Sequence, residues 1–97
     1  MEFKYEKNRI YTEDVHGELL GEIVFPAVDE NSDQVVVERT FVSPAGRGQG
    51  LAAQLVAEFV TYATKNNLRV KLLCPYAKKQ FGNHPQYQQL LAPEDRF

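Results

Sequence analysis

The sequence predicts an α+β fold, in which a mixed, mainly antiparallel sheet carries one long amphipathic helix and a short helical tail. Three observations predict it. Short runs of β-branched and aromatic residues fill the chain before Pro44. From Leu51 the apolar residues recur four apart. After the predicted helix, proline and glycine residues separate the remaining short segments. The predicted order is β-β-β-α-β-α, and 97 residues form one domain over 1–97.

Three strands are predicted in the N-terminal half, over residues 9–12, 18–25 and 34–42. Pro26 ends the second strand, and an acidic turn separates it from the third. Alternation along the third strand predicts two faces, one of Val35, Val37, Arg39 and Phe41 and the other of Val36, Glu38, Thr40 and Val42. Two polar residues then share a face near the end of this strand, which a purely structural strand does not need.

The second half begins with a glycine-rich loop and a helix. The helix is predicted from Leu51 to Asn66-Asn67, where a residue that tolerates the left-handed conformation is expected. A short strand follows over residues 68–74 and ends at Pro75. Residues 76–91 suggest one or two helical pieces, interrupted over 82–85.

Composition narrows the possible classes of protein. Hydrophobic residues make up 43% and charged residues 25%, which is typical of a folded soluble domain. No stretch approaches the ~20 apolar residues that cross a bilayer, and no leader pattern is visible, so a cytoplasmic protein is expected, with no membrane partner. A single cysteine, Cys74, excludes an internal disulfide and a multi-cysteine metal site, and no metal is predicted.

Charge is unevenly distributed along the chain. Residues 1–45 carry ten acidic and four basic side chains, and residues 46–97 carry three and seven. The basic half would suit an anionic ligand such as a phosphate ester, although ordinary surface charge explains it too. Nucleic acid is not expected as a partner, because the bases are scattered and the pI is about 5.6.

The loop at residues 42–53 is the most informative segment. A glycine-rich turn from a strand into a helix directs free N–H groups at one point, which favours phosphate binding. A Walker A loop is excluded because Leu51 and Ala52 stand where Lys and Ser or Thr are required. A dinucleotide fingerprint is rejected as well, since no acidic residue lies between Glu58 and Glu94.

Residues 47–52, Arg-Gly-Gln-Gly-Leu-Ala, resemble the Arg/Gln-x-x-Gly-x-Gly/Ala loop of the GNAT superfamily of N-acetyltransferases. The segments Cys74-Pro75-Tyr76 and His84-Pro85-Gln86-Tyr87 resemble those of a minimal branch of about a hundred residues. The resemblance implies the minimal acyl-CoA N-acyltransferase fold, acetyl-CoA (or coenzyme A) as the cofactor, and transfer of an acetyl group to an amine acceptor.

The resemblance also implies a cofactor site. Backbone amides of the loop would hold the pyrophosphate, and the end of the preceding strand would align the pantetheine arm. The expected cofactor-binding residues are Phe41, Val42, Ser43, Arg47, Gly48, Gln49, Gly50, Leu51 and Ala52. Many members of the branch have Glu where this chain has Phe41, so no general base is carried over to that position.

Cys74, Tyr76 and His84 are the candidate catalytic residues, and each has a plainer explanation. Cys74 is an acyl-accepting nucleophile, an acid to the leaving thiolate, or a small buried hydrophobe. Tyr76 is a proton donor to that thiolate or a packing aromatic. His84 is a turn residue or a general base for the amine. Direct transfer and transfer through acetyl-Cys74 both stay open.

Two other functions remain at this stage: an acyl-CoA-binding module without turnover, and a structural domain whose loop holds no ligand. The acceptor is unidentified, and only residues 13–17 separate the first two strands, so an open acceptor site is expected. The oligomeric state cannot be predicted.

Overall fold

The computed structural model of the protein describes residues 2–97 and confirms the α+β prediction. Four strands form an antiparallel sheet in the order β1-β2-β3-β5, and β4 pairs in parallel with β6. The strands are β1 (Lys4–Glu6), β2 (Arg9–Glu13), β3 (Leu19–Val24), β4 (Gln34–Val37), β5 (Arg39–Val42) and β6 (Arg69–Leu72), and the helices are α1 (Leu51–Lys65) and α2 (Pro75–Asn83).

β1 is absent from the predicted order. Its three residues are exposed and carry no alternating apolar pattern, so periodicity could not reveal it. The strand forms because a tight turn with Asn8 at φ 65° folds Lys4–Glu6 back onto β2.

The strand predicted over residues 34–42 is divided at Glu38 into β4 and β5. The Glu38 N–H donates to the Val24 carbonyl at 2.9 Å, and Arg39 also pairs with Val24. Two residues of this strand therefore oppose one residue of β3, which defines a β-bulge.

The bulge makes the predicted face assignment wrong beyond Glu38. Val35 and Val37 are buried, whereas Arg39 is exposed and Phe41 is half-buried. Thr40 pairs with the buried Ile23 and so takes the core side. One inserted residue inverts the alternation that follows it, so Glu38 and Thr40 do not share a face.

Helix α1 covers one face of the sheet. Its apolar stripe is Leu51, Leu55, Val56, Phe59 and Ala63, all buried in one core with Ile10, Ile23 and Phe25. Burying each large side chain stabilises the fold by about 1.5–3 kcal/mol. No helix of residues 2–97 covers the opposite face of β2, β3 and β5, which we call the open face. Its side chains are Arg9, Tyr11, Glu22, Val24, Arg39 and Phe41.

The tail packs at the β6 side of the core. α2 buries Ala77 and Phe81, and short 3₁₀ turns follow over Pro85–Leu90 and Pro93–Asp95. The buried Gln88 amide donates to the Phe81 carbonyl and accepts from the Phe97 N–H, so one side chain joins α2 to the end of the chain. Within residues 2–97, no helix is long and apolar enough to cross a membrane.

Candidate functional site

The loop between β5 and α1 is anchored to the sheet by Gly46. A Cβ atom at this position would lie 2.6 Å from the Leu20 carbonyl oxygen, so no other residue fits without a shift of the backbone. The Gly46 N–H donates to the Ser43 carbonyl, and the Ser43 N–H donates to Leu20, both at 2.9 Å. The end of β5 therefore holds the start of the loop rigidly.

Gly48 and Gly50 are required for backbone conformation. Their φ angles are +85° and +69°, in the region that favours glycine. A Cβ atom at either position would meet nothing within 4 Å, and residues 47–50 are exposed. The space above the loop is therefore open to a ligand.

The N-terminus of α1 carries no counter-charge of its own. Its cap, Gly50, has no side chain to accept a hydrogen bond, and the first turn contains no acidic residue. The amides of Leu51 and Ala52 and the positive end of the helix dipole thus stay available for an anion. The Leu51 side chain is buried, so this residue can contribute only its main chain.

Arg47 and Gln49 flank these glycines. The Arg47 side chain is exposed and makes no ion pair within residues 2–97. The Gln49 amide lies 3.5 Å from the Ala45 carbonyl oxygen, at the limit of a hydrogen bond. Both side chains can therefore turn toward an anion over the loop.

β5 has a free edge because β6 leaves the sheet early. The N–H groups of Leu73 and Cys74 both donate to the Val37 carbonyl, at 3.0 and 2.9 Å, and the chain then turns into α2. β5 continues along β3 without a second partner. The two segments separate beyond Val37, and we call the space between the free edge of β5 and Cys74 at the start of α2 the opening.

Only part of β5 presents its main chain to this opening. Because Ser43 donates to Leu20, the alternation of antiparallel pairing directs the N–H and C=O groups of Phe41 and the N–H of Ser43 toward β3, while the Ser43 carbonyl accepts from Gly46. Those of Thr40 and Val42 point to the free edge. Of the three strand residues predicted to bind the cofactor, the structure brings Val42 to the opening. Sequence reasoning missed Thr40 as a main-chain partner, although the alternation of a correctly registered strand would have found it.

The Ser43 hydroxyl is buried and has no hydrogen-bond partner within residues 2–97. Both main-chain groups of Ser43 are already paired, so the buried hydroxyl is the hydrogen-bonding group of this residue that is left unpaired within residues 2–97.

Cys74 stands at the narrow end of the opening, at the N-cap of α2, with only 6% of its surface exposed. Its Sγ lies 3.6 Å from Thr40 Oγ1. Burial raises the pKa of the thiol, but the N–H groups of Ala77, Tyr76 and Thr40 and the Thr40 hydroxyl outweigh it, and the pKa falls below its ordinary value. No side-chain cap hydrogen bond of normal geometry is formed, so the helical N–H groups act mainly as oriented dipoles.

Tyr76 is half-buried in the first turn of α2. Burial, and then the nearby charge of Cys74, raise the pKa of its hydroxyl. The phenol therefore keeps its proton through the neutral range, close to a thiol whose pKa moves the other way.

The structure does not bring His84 to this site. His84 lies at the C-cap of α2 and stacks on Tyr87 with ring centroids 4.7 Å apart. Cys74 is at the opposite end of the same helix, roughly 15 Å away at 1.5 Å per residue. No group of three or more His, Cys, Asp or Glu side chains that could hold a metal occurs within residues 2–97.

Comparison with known proteins agrees with this architecture. A family model described as GCN5-related N-acetyl-transferase matches residues 9–90. A solution structure from Staphylococcus aureus, described as a GCN5-like candidate N-acetyltransferase, is 30% identical with a TM-score of 0.73, and the match covers 94% of this chain and 87% of that one. Among curated proteins, none matches the chain.

Two longer enzymes share the fold with coenzyme A bound. The Escherichia coli GNAT family N-acetyltransferase YhbS, in complex with CoA, is 28% identical with a TM-score of 0.61, over 76% of this chain and 44% of that one. N-acetylglutamate synthase from Neisseria gonorrhoeae, complexed with coenzyme A and N-acetyl-glutamate, is 18% identical with a TM-score of 0.59, over 78% and 18%. At that identity the second match shows the fold alone, and this chain spans less than half of either protein.

Proposed function

The chain belongs to the GCN5-related N-acetyltransferase family, and we propose that it transfers an acetyl group from acetyl-CoA to an amine by way of Cys74. The observation that carries the proposal is the position of the Cys74 sulfur, which lies against Thr40 on the free edge of β5 and at the N-terminus of α2. An acyl donor lying in the opening would bring its thioester to this sulfur.

The loop and the strand edge suit such a donor. The pyrophosphate would take the open space over Gly48 and Gly50, against the uncapped amides of Leu51 and Ala52. The Thr40 carbonyl and the main-chain groups of Val42 would pair with the amide groups of the pantetheine arm, as a missing strand would, while the Thr40 N–H faces the Cys74 thiol. The bound donor supplies an activated acetyl group, and the protein supplies its placement.

The lowered pKa of Cys74 favours a nucleophile over an acid. A lowered pKa raises the fraction of thiolate, the form that attacks a thioester, and lowers the fraction of protonated thiol that could act as an acid. Tyr76 suits the complementary role, because its raised pKa keeps its proton in place until a strong base forms beside it.

Two steps then balance. The Cys74 thiolate attacks the thioester carbonyl carbon, the carbon–sulfur bond to coenzyme A breaks, and the leaving thiolate takes the Tyr76 proton. A neutral amine next attacks the acetyl carbon on Cys74 and a carbon–nitrogen bond forms. The Cys74 thiolate leaves, and the Tyr76 phenolate accepts the extra proton of the amine. Both side chains return to their starting state.

A non-catalytic acyl-CoA-binding module is the second candidate function. The groups that shift the pKa of the Cys74 thiol include no carboxylate and no imidazole, so no general base of the usual kind activates it, and this favours binding without turnover. His84 as a general base stays a prediction that its place at the far end of α2 does not favour. Because Cys74 must remain reduced to act, we place the protein in the cytoplasm.

Intact mass spectrometry after mixing with acetyl-CoA tests the proposal. We expect the wild type to gain the mass of one acetyl group and Cys74→Ser to lack it under the same conditions. Adding an amine should remove the acetyl group and release coenzyme A continuously. An adduct that no amine discharges would support the binding module. Amine-dependent release that persists in Cys74→Ser would instead establish direct transfer.

A further inference from the structure

The open face of the sheet carries two arginine–aromatic stacks around one carboxylate. On β2, the Arg9 guanidinium carbon lies 4.0 Å from the centre of the Tyr11 ring. On β5, that of Arg39 lies 4.6 Å from the centre of the Phe41 ring. Glu22 of β3 lies between them, paired in register with Tyr11 and Phe41. An arginine stacked on an aromatic ring thus lies on each side of the Glu22 carboxylate.

The two arginines are held very differently. Arg9 donates to Glu22 at 2.7 Å and to Glu6 at 3.1 Å, and 29% of its side chain is exposed. Arg39 reaches only the other oxygen of Glu22, through Nε at 3.4 Å, and 54% of its side chain is exposed. Its terminal nitrogens form no ion pair or hydrogen bond within residues 2–97. Arg39 is therefore oriented by Phe41 and Glu22 while its bidentate end stays free.

Arg39 also stands beside the proposed reaction centre. It directly precedes Thr40, whose hydroxyl lies 3.6 Å from the Cys74 sulfur, and the two side chains take opposite faces of β5. Helix α1 packs on the face of the sheet that Thr40 takes, whereas the open face has no helix over it within residues 2–97 and leaves room for an acceptor. Leu73, which directly precedes Cys74, is 62% exposed at the other wall of the opening. An acceptor arriving there would lie between an apolar side chain and a free guanidinium.

We propose that Arg39, supported on the Phe41 ring, binds a carboxylate of the acceptor, and that the acceptor is therefore a small amine bearing a carboxylate, of the amino-acid class. This proposal rests on the acetyl transfer proposed above. A guanidinium presents two parallel donors that match the two oxygens of a carboxylate, whereas an amide or a bare amine offers no such pair. Holding the carboxylate beside Arg39 would direct the amino group toward the acetyl carbon.

Leucine, leucinamide and isopentylamine serve as probes, because they share an apolar chain and differ in the carboxylate. The rate of acetyl transfer is measured at saturating acetyl-CoA, and each rate is divided by the concentration of the amine that is in its neutral form. We expect kcat/KM for leucine to exceed that for leucinamide by about 10- to 100-fold, the usual value of a charge-assisted pair at a partly exposed site. In Arg39→Gln the preference should fall to near one, with the leucinamide rate changed by less than about threefold.

Arg9→Gln is the matched control. It removes the same side chain from the same carboxylate, but β2 is two strands from β5, about 10 Å across the sheet. The preference for leucine over leucinamide should be kept in Arg9→Gln. In Arg39→Lys it should be intermediate between the wild type and Arg39→Gln. Equal loss of preference in Arg39→Gln and Arg9→Gln would overturn the proposal, because it would indicate a general effect of the Glu22 network.

A measurement on the unmodified protein avoids any folding defect of the variants. Adding N-acetylleucine to the coenzyme A complex should shift the Arg39 Nε–H resonance in NMR spectra, and N-acetylleucinamide should not. No shift with N-acetylleucine, or equal rates for the three amines in the wild type, would refute the role of Arg39 while acetyl transfer stands. Failure to acetylate any amine would refute the proposed function itself.

Discussion

The two halves of the strand predicted over residues 34–42, Gln34–Val37 and Arg39–Val42, differ in how their main chains are paired. The first half is paired on both sides. On one side it pairs in parallel with β6, and on the other Val35 bridges to Ala27 and the Val36 N–H donates to the Pro26 carbonyl. The second half pairs with β3 alone and exposes main-chain groups along its other edge. The first half therefore contributes its side chains to the core, whereas the second half has main-chain groups available to a ligand.

The difference depends on the single residue between them. At Glu38 the bulge changes which side chains face the core, and at Val37 the carbonyl accepts two N–H groups as β6 turns away. An unpaired strand edge is normally a liability, since it invites pairing with another chain. Here it is short, and the proposed donor would cover it.

The largest effect should come from Cys74→Ser in the open half. We expect the amine-dependent release of coenzyme A to fall by about a thousandfold or more, because a hydroxyl with an ordinary pKa is a far weaker nucleophile than a thiolate. Steady-state kinetics with wild type and variant measure it. The affinity for acetyl-CoA should change little, and a variant that keeps more than a tenth of the rate would contradict the two-step route.

Gly48→Glu should weaken coenzyme A binding by about a hundredfold, because a carboxylate would replace open space where the pyrophosphate is proposed to lie. Gly17→Glu is the control: Gly17 also has a positive φ, +80°, with nothing within 4 Å of a Cβ, but it lies in the β2–β3 turn. Calorimetric titration of coenzyme A into both variants compares them. Similar losses in the two would show that strain or net charge, rather than the loop, is responsible.

Val37→Ala and Val42→Ala separate the two halves by stability. Val37 is fully buried, so its truncation should lower the free energy of unfolding by about 2 kcal/mol. Val42 is half-buried and should lose about 1 kcal/mol. Urea unfolding of both variants gives the values. If Val42 proved the more costly site, the view of β5 as the less core-like half would be wrong.

Thr40→Val should have the smallest effect, on the reactivity of Cys74. Removing the hydroxyl takes away one of the groups that lower the thiol pKa. The pH at which alkylation by iodoacetamide reaches half its maximum should therefore rise. Near neutral pH the rate should fall by about fivefold, the equivalent of one hydrogen bond of ~1 kcal/mol. A midpoint that stays in place would show that the backbone N–H groups alone lower the thiol pKa, and one that moves down would show that the hydroxyl stabilises the protonated thiol.

The same thiol links stability to pH. Since its folded pKa lies below the unfolded value, the thiolate stabilises the fold at pH above the unfolded pKa, and this contribution is lost as pH falls through the folded pKa.

Much of the fold could be predicted locally. The α1 prediction began at Leu51 as observed and ended within two residues of Lys65, since an apolar stripe and asparagines mark a helix without reference to distant residues. β2, β3 and β6 were predicted within two residues at each end. β1 was missed because three exposed residues carry no periodic signal, and the break at Glu38 was missed because Val, Glu and Arg are all compatible with a regular strand.

The candidate site shows the same division. A glycine-rich turn between a strand and a helix is a local feature, and the loop at residues 47–52 was predicted from it and from the family resemblance. The contact between Thr40 and Cys74 joins residues 34 positions apart and depends on how β6 leaves the sheet. His84 was named as a candidate because its segment resembles that of the family and an imidazole suits a general base, whereas the length of α2 separates it from Cys74.

By itself the sequence determined the composition of the fold, the order of most of its strands and helices, and the position of the glycine-rich turn before α1, because backbone propensity and apolar periodicity act over a few residues. Only the tertiary structure decided that one predicted strand has a half paired on both sides and a half with a free edge, and that Thr40 meets Cys74. It also decided that Arg39 reaches Glu22 through Nε alone within residues 2–97, while Arg9 bonds both Glu22 and Glu6. Strand register and hydrogen-bond pairing decide these features, and both are set between segments far apart in the chain.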